Sequence, residues 1–93
     1  MKHLRPHSKE WFTALSKLDP QQANATRKMV KSAGSEDVCS MCGDHPASDY
    51  GVADKWFDAD TQVTYRLCED CLSIRATNEG ERLVPLAGLE PRL

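Results

Sequence analysis

Apolar residues near the start of the chain recur with a helical period. Four of them fall on one helical face: Trp11, Phe12, Leu15 and Leu18. Ser8 precedes this run at the position where a helix takes its N-cap. The pattern predicts a first helix that begins after Ser8.

A second helix is predicted directly after the first. Asp19, Pro20 and Gln22 supply a cap residue, a proline at the first helical position and a glutamine at N3, which is close to a capping box. The apolar stripe of this helix is thin and consists of Ala23, Met29, Val30 and Ala33. Gly34 is placed to end the helix as a left-handed C-cap.

The pattern becomes strand-like in the second half of the chain. Val52, Trp56 and Phe57 mark a weak strand, whereas Thr61 to Leu67 is a cleaner β run with alternating character. Asp58-Ala59-Asp60 lies between the two as a turn. We expect the two strands to form a hairpin.

A third helix and a tail complete the predicted elements. Glu69 to Glu79 contains good helix formers, has acidic residues in its first turn and is followed by Gly80. The tail from Glu81 to Leu93 has two interpretations. It packs as an extended strap through its apolar residues, or it is disordered. Those apolar residues are Leu83, Val84 and Leu86.

Composition indicates that the core is small. The chain has 93 residues, of which 40% are hydrophobic and only 6% aromatic, and scaffolds of this kind usually need a metal, disulfides or a partner. No apolar run is long enough for a membrane span, and the first residues lack the apolar stretch of a secretory signal. We therefore expect a cytoplasmic protein with reduced cysteines and no membrane partner.

Charge divides the chain into unlike parts. Residues 1–33 carry seven basic and two acidic residues, a balance of +5, and residues 34–80 carry three basic and ten acidic residues, a balance of −7. The predicted organisation is a basic N-terminal helical hairpin (1–34), an acidic four-cysteine zinc-binding domain (35–80) and a C-terminal tail (81–93).

The four cysteines form two Cys-x-x-Cys pairs, Cys39 with Cys42 and Cys68 with Cys71, separated by 25 residues. Two residues between ligands let both thiolates reach one ion, and two such pairs complete the four-sulfur shell preferred by structural Zn²⁺. The spacing predicts one structural Zn²⁺ per chain. Thioredoxin-type redox chemistry lacks its βαβ context here, whereas an iron site of the rubredoxin type remains an alternative.

Gly43 follows the first pair, as in a zinc knuckle, and the second pair runs into the third predicted helix. Knuckle, hairpin and a helix whose first turn supplies the last two ligands resemble the treble-clef zinc finger over residues 37–80. A zinc ribbon would repeat the knuckle with a second glycine, but Leu72 follows the second pair. This difference favours the treble clef over the ribbon. The resemblance implies a small zinc-stabilised α+β domain with a treble-clef-like knuckle, β hairpin and helix, preceded by a helical hairpin. A likeness of fold implies no function.

Further residues are candidates for supporting the metal site. Arg66 and Arg75 flank the second cysteine pair and, with Gly43, are expected to contact or balance the cysteine sulfurs. The alternative for both arginines is an exposed position on the surface. His3 and His7 are assigned to a mobile terminus.

Two functions are considered, neither of them enzymatic. A closed four-thiolate site leaves no coordination position for substrate, and the chain has no recognisable pairing of nucleophile and base. The first function is an adaptor that binds another protein. Its partner surface would be Trp11, Phe12 and Leu15, since aromatic anchors dominate interface energies. If these residues are buried against the zinc domain, they are ordinary core.

The second function is nucleic-acid binding, as in a small transcription regulator. Arg27, Lys28 and Lys31 form a basic patch on the second predicted helix that could contact phosphates. The patch is small, and the acidic domain would repel the same backbone. Docking of the basic helices on their own acidic domain accounts for the patch equally well. We therefore expect a protein partner before a nucleic acid.

Overall fold

Three helices and a four-stranded sheet build the part of the chain that the computed structural model describes, residues 2–86. The elements in chain order are β1 (Lys2–His3), α1 (Lys9–Leu18), α2 (Pro20–Ala33), β2 (Ser48–Trp56), β3 (Thr61–Leu67), α3 (Glu69–Asn78) and β4 (Leu83–Pro85). Met1 and residues 87–93, which include the end of the predicted tail, lie outside the described residues.

The first two helices begin and end at the predicted capping residues. Ser8 Oγ accepts the N–H of Trp11 at 3.2 Å, and Asp19 Oδ1 accepts the N–H of Gln22 at 3.1 Å. Each side chain thereby satisfies a backbone donor that its helix leaves unpaired. Gly34 has a φ of 68°, which ends α2 in the left-handed conformation that glycine adopts without strain. The two helices pack against each other.

The sheet has the strand order β1-β3-β2-β4. β1 runs parallel to β3, and the other neighbours are antiparallel. β2 and β3 form the predicted hairpin, with Tyr50 opposite Tyr65. β4 pairs with β2, with Val84 opposite Gly51, and Leu86 beyond it is buried. Of the two interpretations of the tail, the structure therefore shows the packed strap for the residues from Leu83 to Leu86.

β3 is buried along its whole length, although an alternation of polar and apolar residues such as it has is typical of a half-buried strand. The polar side chains of the strand find partners inside the protein. Thr64 Oγ1 donates to the carbonyl of Leu4 at 2.8 Å, and Arg66 Nε donates to Asp49 Oδ1 at 2.7 Å. Because elements distant in sequence cover both faces of the strand, its polar residues lie in the interior and are hydrogen-bonded there.

Two of the three residues predicted as a partner surface belong to the core. Trp11 and Leu15 are 0% exposed. Trp11 Nε1 donates to the carbonyl of Thr64 at 2.7 Å, and its ring stands edge-on to Tyr65. Phe12 is half-buried and packs against the same cluster. We correct the prediction accordingly: α1 turns this face towards the sheet, so Trp11 and Leu15 are not accessible to a partner.

α3 lies on the sheet with little burial of its own. It begins after Cys68 and ends before Gly80, as predicted, and none of its residues is fully buried. Leu72 is half-buried against the core. Within residues 2–86, no helix is long and apolar enough to cross a membrane.

Candidate metal centre

Four cysteine sulfurs converge where the hairpin meets α3. The Sγ atoms of Cys39, Cys42, Cys68 and Cys71 all lie within 4.8 Å of one another, and those of Cys42 and Cys68 are 3.6 Å apart. A tetrahedral ion with Zn–S bonds of about 2.3 Å places its sulfurs about 3.8 Å apart. All four cysteines are free. They are therefore arranged to bind a metal ion.

The first two sulfurs are carried by a tight knuckle, residues 39–43. The N–H of Cys39 donates to the carbonyl of Asp44 at 2.7 Å, and the N–H of Gly43 donates to the carbonyl of Cys39 at 3.0 Å. The N–H of Met41 lies 3.4 Å from Cys39 Sγ and donates to it. Gly43 has a φ of 79°, a conformation that residues with a Cβ seldom adopt. Gly43 therefore acts by permitting the turn that brings the two sulfurs to one side.

The second pair of sulfurs stands at the start of α3. Cys68 is the N-cap residue, and its side chain makes no capping hydrogen bond, which leaves its sulfur directed to the cluster. The carbonyl of Cys68 accepts the first backbone hydrogen bond of α3, from the N–H of Leu72 at 2.9 Å. Cys71 follows in the first turn. The positive end of a helix dipole favours thiolates at these positions.

The thiols differ in how readily they lose a proton. Burial opposes ionisation of Cys39, but backbone groups of Cys68, Cys42 and Met41 lower the pKa of its thiol to about 7. Although Cys42 is an exposed residue, partial desolvation of its sulfur and the adjacent thiols of Cys68 and Cys39 raise its pKa to about 11. Burial and the adjacent thiols raise the pKa of Cys71 further. Four neighbouring thiolates would need a cation among them, so metal binding at this site releases protons.

Ser40 fastens the knuckle to the rest of the fold. Its N–H donates to the carbonyl of Arg66 at 2.6 Å, and its Oγ accepts the N–H of Arg66 at 3.0 Å. Its carbonyl accepts from Thr26 Oγ1 at 2.8 Å and from Gln22 Nε2 at 3.3 Å, both on α2. The knuckle is thus held by the end of β3 on one side and by the second helix on the other.

His7 completes this network from the N-terminal segment. Its Nδ1 lies 2.8 Å from the carbonyl oxygen of Glu36, and its Nε2 lies 2.7 Å from Ser40 Oγ. Because a carbonyl only accepts, Nδ1 carries the proton and the Ser40 hydroxyl donates to Nε2. Burial lowers the pKa of the His7 imidazole, which favours this neutral form.

The position of His7 corrects its assignment to a mobile terminus. The residue is 3% exposed and has a φ of 70°, a strained value for a residue other than glycine. Its hydrogen-bond partner Ser40 lies 33 positions away. No local sequence pattern marks a pairing over that separation, so the sequence alone does not predict the buried position of His7.

The two arginines predicted near the sulfurs contact the polypeptide around them. Arg66 donates from Nε to Asp49 Oδ1 at 2.7 Å and from Nη1 to the carbonyl of Glu36 at 2.6 Å. Arg75 Nη1 lies 3.3 Å from the sulfur of Met41, inside the knuckle. Within the described part of the chain, neither arginine donates a hydrogen bond to a cysteine sulfur.

The residues predicted to contact phosphate lie apart from the cysteine cluster. Arg27, Lys28 and Lys31 are exposed on α2, and the Arg27 guanidinium stacks over the Phe12 ring at 5.0 Å from its centroid. Among residues 2–86, none of the three forms an ion pair with a carboxylate. They form an unneutralised basic patch.

Comparison of the chain with protein families, with curated proteins and with solved structures finds no match.

Proposed function

We propose that the chain binds one structural Zn²⁺ through the thiolates of Cys39, Cys42, Cys68 and Cys71. The observation that carries this proposal is the convergence of four free thiols within 4.8 Å. Thiolates are soft ligands that select zinc or iron over hard cations, and a tetrahedral four-thiolate shell is typical of structural zinc. Zn²⁺ at this site would neutralise part of the thiolate charge and cross-link the knuckle to α3.

The limited burial of α3 supports a structural role for this cross-link. With no fully buried residue, the helix has few apolar contacts of its own to hold it on the sheet. Cys68 and Cys71 would join its first turn to the knuckle through the metal. The order of knuckle, β2–β3 hairpin and α3 also supports assignment of the domain as a treble-clef zinc finger.

The most favoured biochemical role is that of a small protein-interaction module. Four protein ligands fill a tetrahedral shell, so no position remains for a substrate or a reactive water. Ser40 and His7 form a hydrogen-bonded serine–histidine pair, but both are buried and Ser40 is 0% exposed. A substrate could not reach that serine without local unfolding. These features favour binding over catalysis.

Nucleic-acid binding is a second candidate because the basic patch on α2 is exposed and unneutralised. The test is fluorescence anisotropy with a labelled DNA duplex and a labelled RNA of mixed sequence. It is carried out at low salt, where phosphate contacts are strongest. Replacement of Arg27, Lys28 and Lys31 by glutamine should abolish binding, whereas replacement of Lys9 and Lys17 on α1 should not. No binding by the unmodified protein at low salt would exclude this function.

The zinc proposal is tested by elemental analysis of protein purified without added metal. We expect one zinc per chain in the unmodified protein and in the control Ser73→Ala, which alters an exposed residue of α3. Cys42→Ser and Cys71→Ser should lose the metal. A chelator should abolish the helical circular dichroism signal, and added Zn²⁺ should restore it. A red, iron-containing preparation or a fold insensitive to chelation would contradict the proposal.

A further inference from the structure

Large apolar side chains are exposed at three positions within residues 2–86, and two of them share one cleft. Leu18 is 49% exposed, Trp56 41% and Ile74 53%. Leu18 and Trp56 line a cleft of about 550 Å³ between the end of α1, the end of β2 and the last turn of α3. We name it the Trp56 cleft. Exposed aromatic and aliphatic groups that meet in a concavity are typical of a protein-binding surface.

The cationic groups of the Trp56 cleft are already engaged within the protein. Lys55 Nζ donates to Glu81 Oε2 at 2.7 Å, and Arg75 Nε donates to Glu81 Oε1 at 2.6 Å. The Arg75 guanidinium also lies over the Tyr65 ring, 4.5 Å from its centroid. An anionic ligand would therefore have to compete with the buried carboxylate of Glu81 for both cations.

The carboxylates at the rim of the cleft have no such partners. Asp19 and Glu79 line the cleft and are exposed, and neither forms an ion pair within residues 2–86. Asp19 lies between the end of α1 and the start of α2, where it caps the second helix. Glu79 is the C-cap residue of α3, where the negative end of the helix dipole adds to its charge.

The charges of the cleft consequently favour a cation. Asp19 and Glu79 line the cleft together with Lys55 and Arg75. The buried carboxylate of Glu81, outside the lining, already pairs with both cations, so the two exposed carboxylates are the lining charges left without an ion-pair partner within residues 2–86. A cation placed there could also lie over the exposed face of Trp56. An apolar side chain beside that cation would cover Leu18 and the rest of the indole.

We propose that the Trp56 cleft docks a short segment of a partner protein in which lysine or arginine adjoins a large apolar side chain. This proposal rests on the interaction role proposed above and specifies the chemistry of the partner. The rim argues against a symmetric dimer through the same surface. A two-fold axis at the cleft would bring Asp19 and Glu79 of the two copies close together, and like charges repel.

The test is selection of a random-peptide phage library on the full-length, metal-loaded protein, followed by affinity measurements on synthetic peptides. We expect enriched peptides in which lysine or arginine is next to tryptophan, phenylalanine or leucine. Trp56→Ser should weaken their binding about tenfold or more, as for an interface hot spot. Leu18→Ser is a second variant from the other wall of the cleft and should also weaken it. Ile74→Ser is the matched control, because it removes an equally exposed apolar side chain outside the cleft.

Charge reversal tests the electrostatic part of the proposal. Glu79→Lys should weaken peptide binding several-fold at low salt and less at high salt, because salt screens exposed charges. Glu10→Lys, a reversal at an exposed glutamate of α1 that does not line the cleft, should leave binding unchanged.

Three outcomes, measured with the same protein preparations, would overturn the proposal. They are enrichment of acidic peptides, peptides that bind Trp56→Ser and Leu18→Ser as well as the unmodified protein, or a dimer that these substitutions dissociate. Elemental analysis of each preparation separates this result from the zinc proposal. A full complement of zinc without selective peptide binding contradicts the docking proposal alone, whereas loss of zinc from the unmodified protein contradicts the metal assignment.

Discussion

The His7 imidazole and the Ser40 hydroxyl are joined by a 2.7 Å hydrogen bond beside the cysteine cluster. Ser40 follows Cys39 directly, so the bond ties the N-terminal segment to the knuckle that presents two of the four thiols. Because the same hydroxyl accepts the backbone N–H of Arg66, it also joins the knuckle to β3. The cysteine cluster is thus supported by residues that are not ligands.

Removal of the Ser40 hydroxyl should destabilise the protein. In Ser40→Ala, His7 Nε2 and the N–H of Arg66 both lose their partner in a buried site. An unsatisfied buried polar group costs about 1–3 kcal/mol. We expect the free energy of unfolding in urea, measured with zinc bound, to fall by about 2 kcal/mol or more. Ser73→Ala, on the exposed side of α3, should change it by less than about 0.5 kcal/mol. Equal effects of the two substitutions would contradict the role assigned to Ser40.

His7 should make stability depend on pH. Its pKa in the folded protein lies below the ordinary value of 6.5 because the ring is buried. As pH falls through 6.5, the unfolded chain takes up a proton that the folded protein resists, so His7 lowers stability progressively down to its folded pKa. Above this window His7 is neutral in both states and has no such effect.

The comparison that isolates this effect is between the unmodified protein and His7→Gln. The free energy of unfolding in urea is measured for both proteins at about pH 7.5 and about pH 5.5, in zinc-containing buffer. The cysteines titrate in both proteins alike, so their contribution cancels in the comparison. The unmodified protein should lose more stability on acidification than His7→Gln. Identical losses would show that His7 is not the buried neutral group described here.

Replacement by phenylalanine should lower the stability of the protein at Trp11 much more than at Trp56. Trp11→Phe removes the donor to the Thr64 carbonyl and leaves a void in the core, with an expected loss of about 2–4 kcal/mol. Trp56→Phe alters a ring that is 41% exposed and should change stability by less than about 0.5 kcal/mol. Thermal unfolding followed by circular dichroism separates the two. A larger effect at Trp56 would contradict the assignment of Trp11 to the core.

Glu81 should contribute to the stability of the protein, because it pairs with Arg75 of α3 and Lys55 of β2. Burial opposes ionisation of its carboxyl, but the adjacent cations of Arg75 and Lys55 lower its pKa on balance. Glu81→Gln keeps the shape but removes the charge that both cations face, and we expect a loss of about 1–3 kcal/mol near neutral pH. Glu79→Gln, at the exposed neighbouring carboxylate, is the control and should have little effect.

The same ion pair predicts a loss of stability in acid. A carboxyl whose folded pKa lies below its unfolded value stabilises the folded protein above the unfolded pKa. That contribution is lost as pH falls through the folded pKa. The difference in stability between the unmodified protein and Glu81→Gln should therefore narrow at acid pH. A difference that stays constant down to acid pH would indicate that the carboxylate charge contributes nothing.

Features encoded in neighbouring residues were predictable from the sequence. The capping side chains of Ser8 and Asp19, the left-handed Gly34 and the start of α3 after Cys68 depend on positions within a turn of one another. The spacing of the cysteine pairs belongs to the same class. Backbone geometry and short-range hydrogen bonds determine these features.

Features that depend on distant residues were not predictable in this way. Polar and apolar residues alternate along β3, a pattern typical of a half-exposed strand. The N-terminal segment and the segment between α2 and the knuckle nevertheless cover its polar side chains, as the bonds from Thr64 to the carbonyl of Leu4 and from Arg66 to the carbonyl of Glu36 show. Tryptophan is a residue type typical of interface anchors, and only the contact of Trp11 with the carbonyl of Thr64, 53 positions away, identifies it as part of the core. Packing between elements decides burial, and one sequence without its fold does not specify that packing.

X-ray absorption at the zinc edge of the purified protein tests the central claim most directly. Four-thiolate binding predicts one shell of four sulfur atoms at about 2.3 Å and no nitrogen or oxygen ligand. In Cys42→Ser, the spectrum should lose sulfur ligands or the metal should be absent. A mixed shell of sulfur with nitrogen or oxygen in the unmodified protein, or an absorption edge from iron instead of zinc, would contradict the four-cysteine zinc site.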